Sequence, residues 1–188
     1  MSRRYPKSGK KLIIVEGKSD EIFIKGLLRY LNLTRLFDVK LSGDENHCDI
    51  LNKKEIEKLL LDAQKDGYDE VYILIDLNTD CRDYNPSCVV ELRDWYHRNV
   101  INSEFHQFVK VIVAINELEC WELLGWIAQN QHTNSNCIRV LNQKIDPNKK
   151  LSKIKMAQSA VRKIRKILEN CNLNPSFKYF LQKIGYSC

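Results

Sequence analysis

Acidic residues follow three strand-like segments of this sequence, at the point where each segment ends. They are Glu16 after residues 12–15, Asp76 after residues 71–75, and Glu117 and Glu119 after residues 109–115. Because the carboxyl ends of parallel strands meet at one edge of a sheet, a parallel arrangement would bring these carboxylates together. Like charges repel, and oxygen ligands favour Mg²⁺ or Mn²⁺, so a bound divalent cation would neutralise the cluster. The pattern therefore predicts a metal site.

Each polar residue near these strand ends also has an ordinary structural explanation. Asp20 could cap the helix that follows Glu16, and Asp76 could be a turn residue at a strand end. Glu117 and Glu119 could be first-turn helix acids, which the helix dipole favours. The joint occurrence of these acids at one sheet edge favours the metal site. Lys18 could contact phosphate there or simply be solvated.

Strand-like and helix-like patterns alternate along the chain. The apolar run at 12–15 is followed by a helical pattern with apolar residues at i, i+3, i+4 and i+7, namely Ile24, Leu27, Leu28 and Leu31. Further strand-like runs lie at 38–41, 71–75 and 109–115, with helical patterns between them. This alternation predicts right-handed βαβ crossovers and an α/β fold, with a mainly parallel four-stranded sheet and helices on both faces.

The domain organisation predicted for the 188 residues is one domain with an extension. Residues 1–130 would form the α/β core. Residues 131–188 would add a loop and basic C-terminal helices to the same domain. Within this region, residues 128–150 are expected to be a polar loop and residues 149–168 a single basic helix.

Positive charge is concentrated near the C-terminus. Eight Lys or Arg residues and no acid lie between Asp146 and Glu169, so the positive charge of this stretch exceeds the net charge of +6 of the whole chain. The remainder of the chain is therefore slightly acidic. A basic arm on an acidic body suits nucleic acid, although a solvated helix face has the same composition. The residues expected to contact nucleic acid here are Lys155, Arg162, Lys163 and Lys166. A homo-oligomer is compatible with the sequence.

The cysteines and the hydropathy pattern predict an intracellular setting. The seven cysteines are odd in number, scattered and never in a CxxC pair, so we expect reduced thiols and neither a disulfide framework nor a zinc ribbon. No apolar run approaches the roughly 20 residues of a membrane span. A cytoplasmic protein without membrane contact is expected.

Four segments carry a resemblance to the Toprim family. Residues 12–20, LIIVEGKSD, resemble its first motif, an apolar strand followed by EGxxD. Residues 76–80, DLNTD, stand where that family has its DxD motif. Residues 114–124 and 174–181 resemble small stand-alone Toprim-like proteins related to OLD-type nucleases, which are often encoded beside AAA-type ATPases. The resemblance covers nearly the whole chain.

The resemblance implies residue roles and an activity. Glu16 and Asp76 would be catalytic, with Glu16 a metal ligand or general acid/base. Asp20 and Asp76 would bind metal, and Glu117 and Glu119 would bind a second one. The activity implied is a metal-dependent nuclease cleaving DNA or RNA, acting in phage defence with a separate ATPase, because this chain has no Gly-rich P-loop.

One departure from the family pattern keeps alternatives open. The second acid of DxD is Asn78, which keeps an oxygen ligand but loses a charge, and Asp80 could replace it if the loop bends suitably. A poorer ligand set favours Mn²⁺ over Mg²⁺. The alternative function is a catalytically weak Toprim nucleic-acid-binding or assembly module. A small-molecule phosphotransfer enzyme fits the acids but not the basic segment.

Overall fold

The central element of the fold is a four-stranded sheet. The computed structural model describes residues 9–43, 47–77, 86–127 and 136–188. The strands are β1 (Lys11–Val15), β2 (Phe37–Leu41), β3 (Glu70–Asp76) and β4 (Val109–Ala114). They are arranged in the order β2-β1-β3-β4, and each neighbouring pair is parallel. The predicted α/β fold with a parallel four-stranded sheet is confirmed.

Helices cover both faces of this sheet, as expected. In the described part of the chain the α-helices are α1 (Lys18–Tyr30), α2 (Lys53–Lys65), α3 (Val89–Asn99), α4 (Glu119–Leu123), α5 (Cys137–Ile145), α6 (Lys153–Val161), α7 (Ile164–Glu169) and α8 (Pro175–Lys183). Short 3₁₀ turns occur at His47–Leu51, Ser103–Phe105 and Cys171–Leu173. No helix among the described residues is long and apolar enough to cross a membrane.

Two hydrophobic cores lie on the two faces of the sheet. Successive strand residues point to opposite faces, so Ile13 and Val15 join the core formed with α1, α4 and the C-terminal helices, whereas Leu12 and Ile14 join the core formed with α2 and α3. All four are almost completely buried. A continuous apolar run suits a strand that is covered on both sides.

The C-terminal helix α8 holds the end of β4 in place. The indole N–H of the buried Trp121 donates to Ser176 Oγ at 2.9 Å, and the backbone N–H of Ile115 donates to the same oxygen at 3.1 Å. Trp121 also stacks on Phe180, with ring centroids 5.2 Å apart. Helix α8 therefore fixes the segment that carries Glu119. The domain boundary predicted at residue 130 lies outside the described residues.

Helix α5 corrects the prediction of a polar loop over residues 128–150. Its N-terminus is capped by the side chain of Asn136, which accepts a hydrogen bond from the backbone N–H of Arg139. Cys137 and Leu141, four residues apart, are its buried positions. This helix has nine residues, and its apolar positions are interrupted by polar side chains. The helix is stabilised by burial against the core that contains α1 and α4, and this long-range contact does not show in the local sequence.

The predicted basic helix over residues 149–168 is instead two helices, α6 and α7. Lys163 between them has φ −108° and ψ 9°, which is not helical geometry. The break lets Ile164 and Ile167 pack into the core that contains α1 and α4. Packing of apolar residues thus overrides the continuous periodicity of the sequence.

The prediction that the cysteines are reduced thiols is wrong for at least four of them. Cys120 bonds to Cys137, joining α4 to α5, and Cys171 bonds to Cys188, with Cα–Cα distances of 5.1 Å and 6.0 Å respectively. Each pair is separated by 17 residues, so its proximity comes from the packing of helices and is invisible in local spacing. The exposed Cys88 is a free thiol.

Candidate metal centre

Glu16 and Asp76 meet at the carboxyl edge of the sheet. Strands β1 and β3 are parallel neighbours, so the residues that follow them lie side by side. Glu16 Oε1 accepts a hydrogen bond of 3.0 Å from the backbone N–H of Asp76. The bond links the first two acidic strand ends.

Asp20 lies in the first turn of α1, where it is both a helix cap and part of the acidic cluster. Its Oδ2 accepts from the backbone N–H of Gly17 at 3.1 Å, and its Oδ1 accepts from the Ser19 hydroxyl at 3.3 Å. Burial, followed by the charge of Glu119, raises the pKa of Asp20 to about 6. The capping alternative is therefore correct, and it does not exclude a role in the cluster.

Asp76 is at the electrostatic centre of the cluster. Burial raises its pKa well above the ordinary range, and the charges of Glu16, Asp20 and Glu119 raise it further. Four of the acids selected from the sequence are therefore close enough to influence one another. Strand ends and the first turn of α1 bring them together.

Glu119 and Glu122 are the most deeply buried acids of the site. They are 2% and 1% exposed, and within the described residues Glu119 Oε2 and both oxygens of Glu122 have no hydrogen-bond partner. Burial, together with the charges of Glu119 and Asp20, raises the pKa of Glu122 well above its usual range. Glu122 was not among the site residues predicted from the sequence. Its spacing of three residues from Glu119 places it on the same side of the helix, which was the available signal.

Lys153, the first residue of α6, is the positive charge of the cluster. Its Nζ lies 2.8 Å from Glu119 Oε1. Although burial lowers the pKa of Lys153, the charges of Glu119, Asp76 and Asp20 outweigh it and raise the pKa. From the sequence, Lys153 belongs only to the basic stretch, because no local pattern connects it with Glu119, 34 residues earlier.

Glu117 points toward a different partner. The backbone N–H groups of Cys137 and Ile138, at the N-terminus of α5, donate to its carboxylate. Burial and the charge of Glu119 raise its pKa. Glu117 therefore connects the end of β4 to α5, and its proposed role as a second-metal ligand has to compete with these bonds.

Lys18 lies beside the cluster but pairs along its own helix. Its Nζ contacts Glu21 Oε2, and Lys25 Nζ lies 2.5 Å from the other oxygen of the same carboxylate. Lys18 is 59% exposed. This geometry agrees with the solvated alternative, since one buried acid holds two surface lysines.

The cations expected to contact nucleic acid lie on α6, on α7 and between them. They are Lys155, Arg162, Lys163 and Lys166. All four are exposed. Lys163 Nζ lies 5.9 Å from the centre of the Trp126 ring, and Lys166 Nζ lies 3.3 Å from Glu169. Asn78 and Asp80, the remaining predicted site residues, fall outside the described residues.

The chemistry of this donor set fits a hard divalent cation. The donors are carboxylate oxygens, and Glu119 Oε2 and both oxygens of Glu122 are buried without hydrogen bonds. Unpaired buried carboxylates are costly, and a cation would relieve that cost. Within the described ranges, however, no three His, Cys, Asp or Glu residues already converge as a ligand group. A cation would therefore require side chains to shift, with Lys153 now paired to Glu119.

The acidic cluster predicts an unusual pH dependence for the metal-free protein. The pKa of Asp20 is about 6 in the folded protein against 3.8 for an aspartate side chain in water, so the folded state binds more protons between these values. Stability from Asp20 is therefore present below about pH 4 and lost as the pH rises through about 6, and it amounts to about 3 kcal/mol. Urea denaturation in EDTA should show this fall in wild type and a smaller one in Asp20→Asn.

The comparison with Asp20→Asn is needed because other acids titrate in the opposite sense. Although burial raises it, hydrogen bonds from Lys18 and Lys25 leave the pKa of Glu21 lowered, so that pair gains stability as the pH rises. Equal pH profiles for wild type and Asp20→Asn would contradict the electrostatic description of the cluster.

The fold and the site define an α/β protein with a carboxylate cluster at the carboxyl edge of a parallel sheet. Neither a protein-family model nor a curated protein matches the chain. Among solved structures, the C-terminal region of the Burkholderia pseudomallei OLD protein is similar, with 16% sequence identity and a TM-score of 0.45. The similarity covers 93% of this chain and 96% of that one.

Proposed function

We propose that this protein is a metal-dependent nuclease that hydrolyses phosphodiester bonds of DNA or RNA. The observation that carries the proposal is the acidic cluster of Glu16, Asp20, Asp76 and Glu119 at the carboxyl edge of the sheet, in which Glu119 is buried and its Oε2 lacks a hydrogen bond in the described chain. The resemblance of residues 12–20 and 76–80 to Toprim motifs supports the same reading. A separately encoded AAA-type ATPase and a role in phage defence are proposed on that resemblance alone.

The carboxylates would hold Mg²⁺ or Mn²⁺ and orient the substrate around it. Asp20, Asp76 and Glu119 are the proposed ligands, and Glu16 is held against the Asp76 backbone by its 3.0 Å hydrogen bond. When bound, divalent cations neutralise phosphate charge and make a water molecule more acidic. Glu16, whose Oε1 accepts the backbone N–H of Asp76, is the carboxylate proposed to accept a proton from the attacking water.

Lys153 adds a positive charge that can contact the substrate phosphate. Its raised pKa keeps the ammonium protonated at neutral pH, and the side chain is 52% exposed. We propose that its ammonium turns from Glu119 to a non-bridging phosphate oxygen when nucleic acid binds. Hydrolysis then forms a bond from water oxygen to phosphorus and breaks the ester bond, and the leaving oxygen receives a proton.

A catalytically weak binding or assembly module is the second candidate. The observation that favours it is the ion pair of Lys153 with Glu119, because an ammonium already compensates one acid of the cluster. Asn78, in place of the second acid of DxD, points the same way. This candidate would bind nucleic acid without turnover.

A metal-screened nuclease assay distinguishes the two candidates. Supercoiled DNA, single strands and structured RNA would each be incubated with Mg²⁺, Mn²⁺ or EDTA. Cleavage that requires a divalent cation supports the nuclease. Binding of the same substrates without cleavage under every metal condition would reject the nuclease and support the second candidate.

A further inference from the structure

A groove with a positive lining runs between α1 and α6. Its volume is about 540 Å³. Lys25 and Arg29 contribute to it from α1, and Gln158 and Arg162 contribute from α6 and its C-terminal cap. Among the described residues, no Asp or Glu lines it. Its charge is therefore suited to an anionic ligand.

The groove exists because the two helices approach closely at Gly26. A Cβ atom added to Gly26 would lie 2.5 Å from Val161 Cγ2, closer than two carbon atoms can pack. The floor of the groove is consequently narrow and apolar. The longer side chains on each helix must project outward along the two rims, where they can reach a ligand in solvent.

Two arginines of the groove are available for a ligand. Arg29 and Arg162 are both exposed, and within the described part of the chain neither takes part in an ion pair or a hydrogen bond of its guanidinium. Lys25, in contrast, is paired with Glu21 at 2.5 Å. The guanidinium group suits phosphate because its planar donors match phosphate oxygens in pairs.

The groove lies at a defined distance from the acidic cluster. Both helices begin at that cluster, with Asp20 in the first turn of α1 and Lys153 at the first residue of α6. Arg29 and Arg162 each follow nine residues later, about 13 Å along the helix axis at 1.5 Å per residue and two and a half turns around it. The groove therefore lies further along the same two helices than the cluster and on a different side of them.

We propose that this groove binds the phosphate backbone of a nucleic-acid strand whose phosphodiester is cleaved at the acidic cluster. The inference rests on the proposed function and adds α1 to the binding surface expected from the C-terminal basic stretch. An open groove with cationic rims and an apolar floor holds backbone phosphates without reading bases. Binding in the groove is therefore independent of sequence.

The test is the salt dependence of binding by the full chain. Fluorescence anisotropy would follow labelled DNA and RNA duplexes of about 20 base pairs, long enough to span both sites at 3.4 Å per base pair, in EDTA so that no cleavage occurs. The groove variant is Arg29→Ala with Arg162→Ala. The matched control is Lys54→Ala with Lys58→Ala, which removes the same charge from exposed positions on α2 across the sheet. Circular dichroism checks that each variant is folded.

Removing two phosphate contacts lowers the slope of log affinity against log salt by about 1.8. The ratio of wild-type to groove-variant affinity should therefore shrink roughly tenfold between about 50 and 200 mM salt, while the control follows wild type. If wild type binds and the groove variant keeps the wild-type slope, the proposal that the groove binds backbone phosphates is overturned, whereas the nuclease proposal stands. If wild type binds neither DNA nor RNA, both fall.

Discussion

Glu16→Ala is expected to abolish metal-dependent cleavage while the protein remains folded. Mutation of groups that merely support a metal ligand typically costs about 10- to 100-fold, so removal of a direct ligand or proton acceptor should cost at least about 100-fold. The hydrogen bond from the Asp76 backbone is lost in the fold, which is worth about 1 kcal/mol. Cleavage rate and circular dichroism would be measured on the same preparation.

Glu104→Ala is the control for this variant. Glu104 is an exposed acid in the turn before β4, at the opposite edge of the sheet from Glu16. It should cleave like wild type. Wild-type cleavage by folded Glu16→Ala would remove Glu16 from the mechanism, and with it the reason for aligning residues 12–20 with a catalytic motif.

Lys153→Met is expected to lower the free energy of unfolding by about 2 kcal/mol in EDTA. Removing one partner of a buried ion pair costs about 3–5 kcal/mol, and the value here is reduced because Lys153 is half exposed whereas Glu119 is 3% exposed. The destabilisation arises because Glu119 then lies next to other acids without its cation. Urea denaturation measures the difference.

Two further variants separate charge from packing. Lys155→Met removes an exposed lysine from the same helix and should change stability little. Adding Glu119→Gln to Lys153→Met removes the stranded charge and should restore most of the loss. Equal stability of Lys153→Met and Lys155→Met would show that Lys153 does not hold the cluster together.

The parts of the fold and site that the sequence predicts are those encoded locally. The apolar run at 12–15 followed by Glu16 indicates a buried strand with an acidic residue at its end. This much is encoded locally because the strand, the turn and the first helical turn are contiguous in sequence. Parallel pairing then places Glu16 beside Asp76 without further information. Asp20 follows from the same segment, since its position in the first helical turn determines the direction in which it points.

The parts that the sequence does not predict depend on contacts between distant segments. Lys153 reaches Glu119 only because α6 packs on α1 and α4, and no spacing rule encodes that approach. Packing of α5 on α4 brings Cys120 to Cys137 and stabilises α5, whose own pattern is too short to be recognised. Glu117 was selected for its strand end, although the N-terminus of α5 engages it.

The central claim is that the acidic strand ends bind a divalent cation, and calorimetric titration of Mn²⁺ tests it most directly. Wild type at neutral pH should bind Mn²⁺ saturably, with protons released because the ligands must be ionised. Asp76→Asn keeps the shape of the side chain but removes the charge at the centre of the cluster, and should bind at least about tenfold more weakly. Absence of binding by wild type, or equal affinity of the two proteins, would contradict the claim.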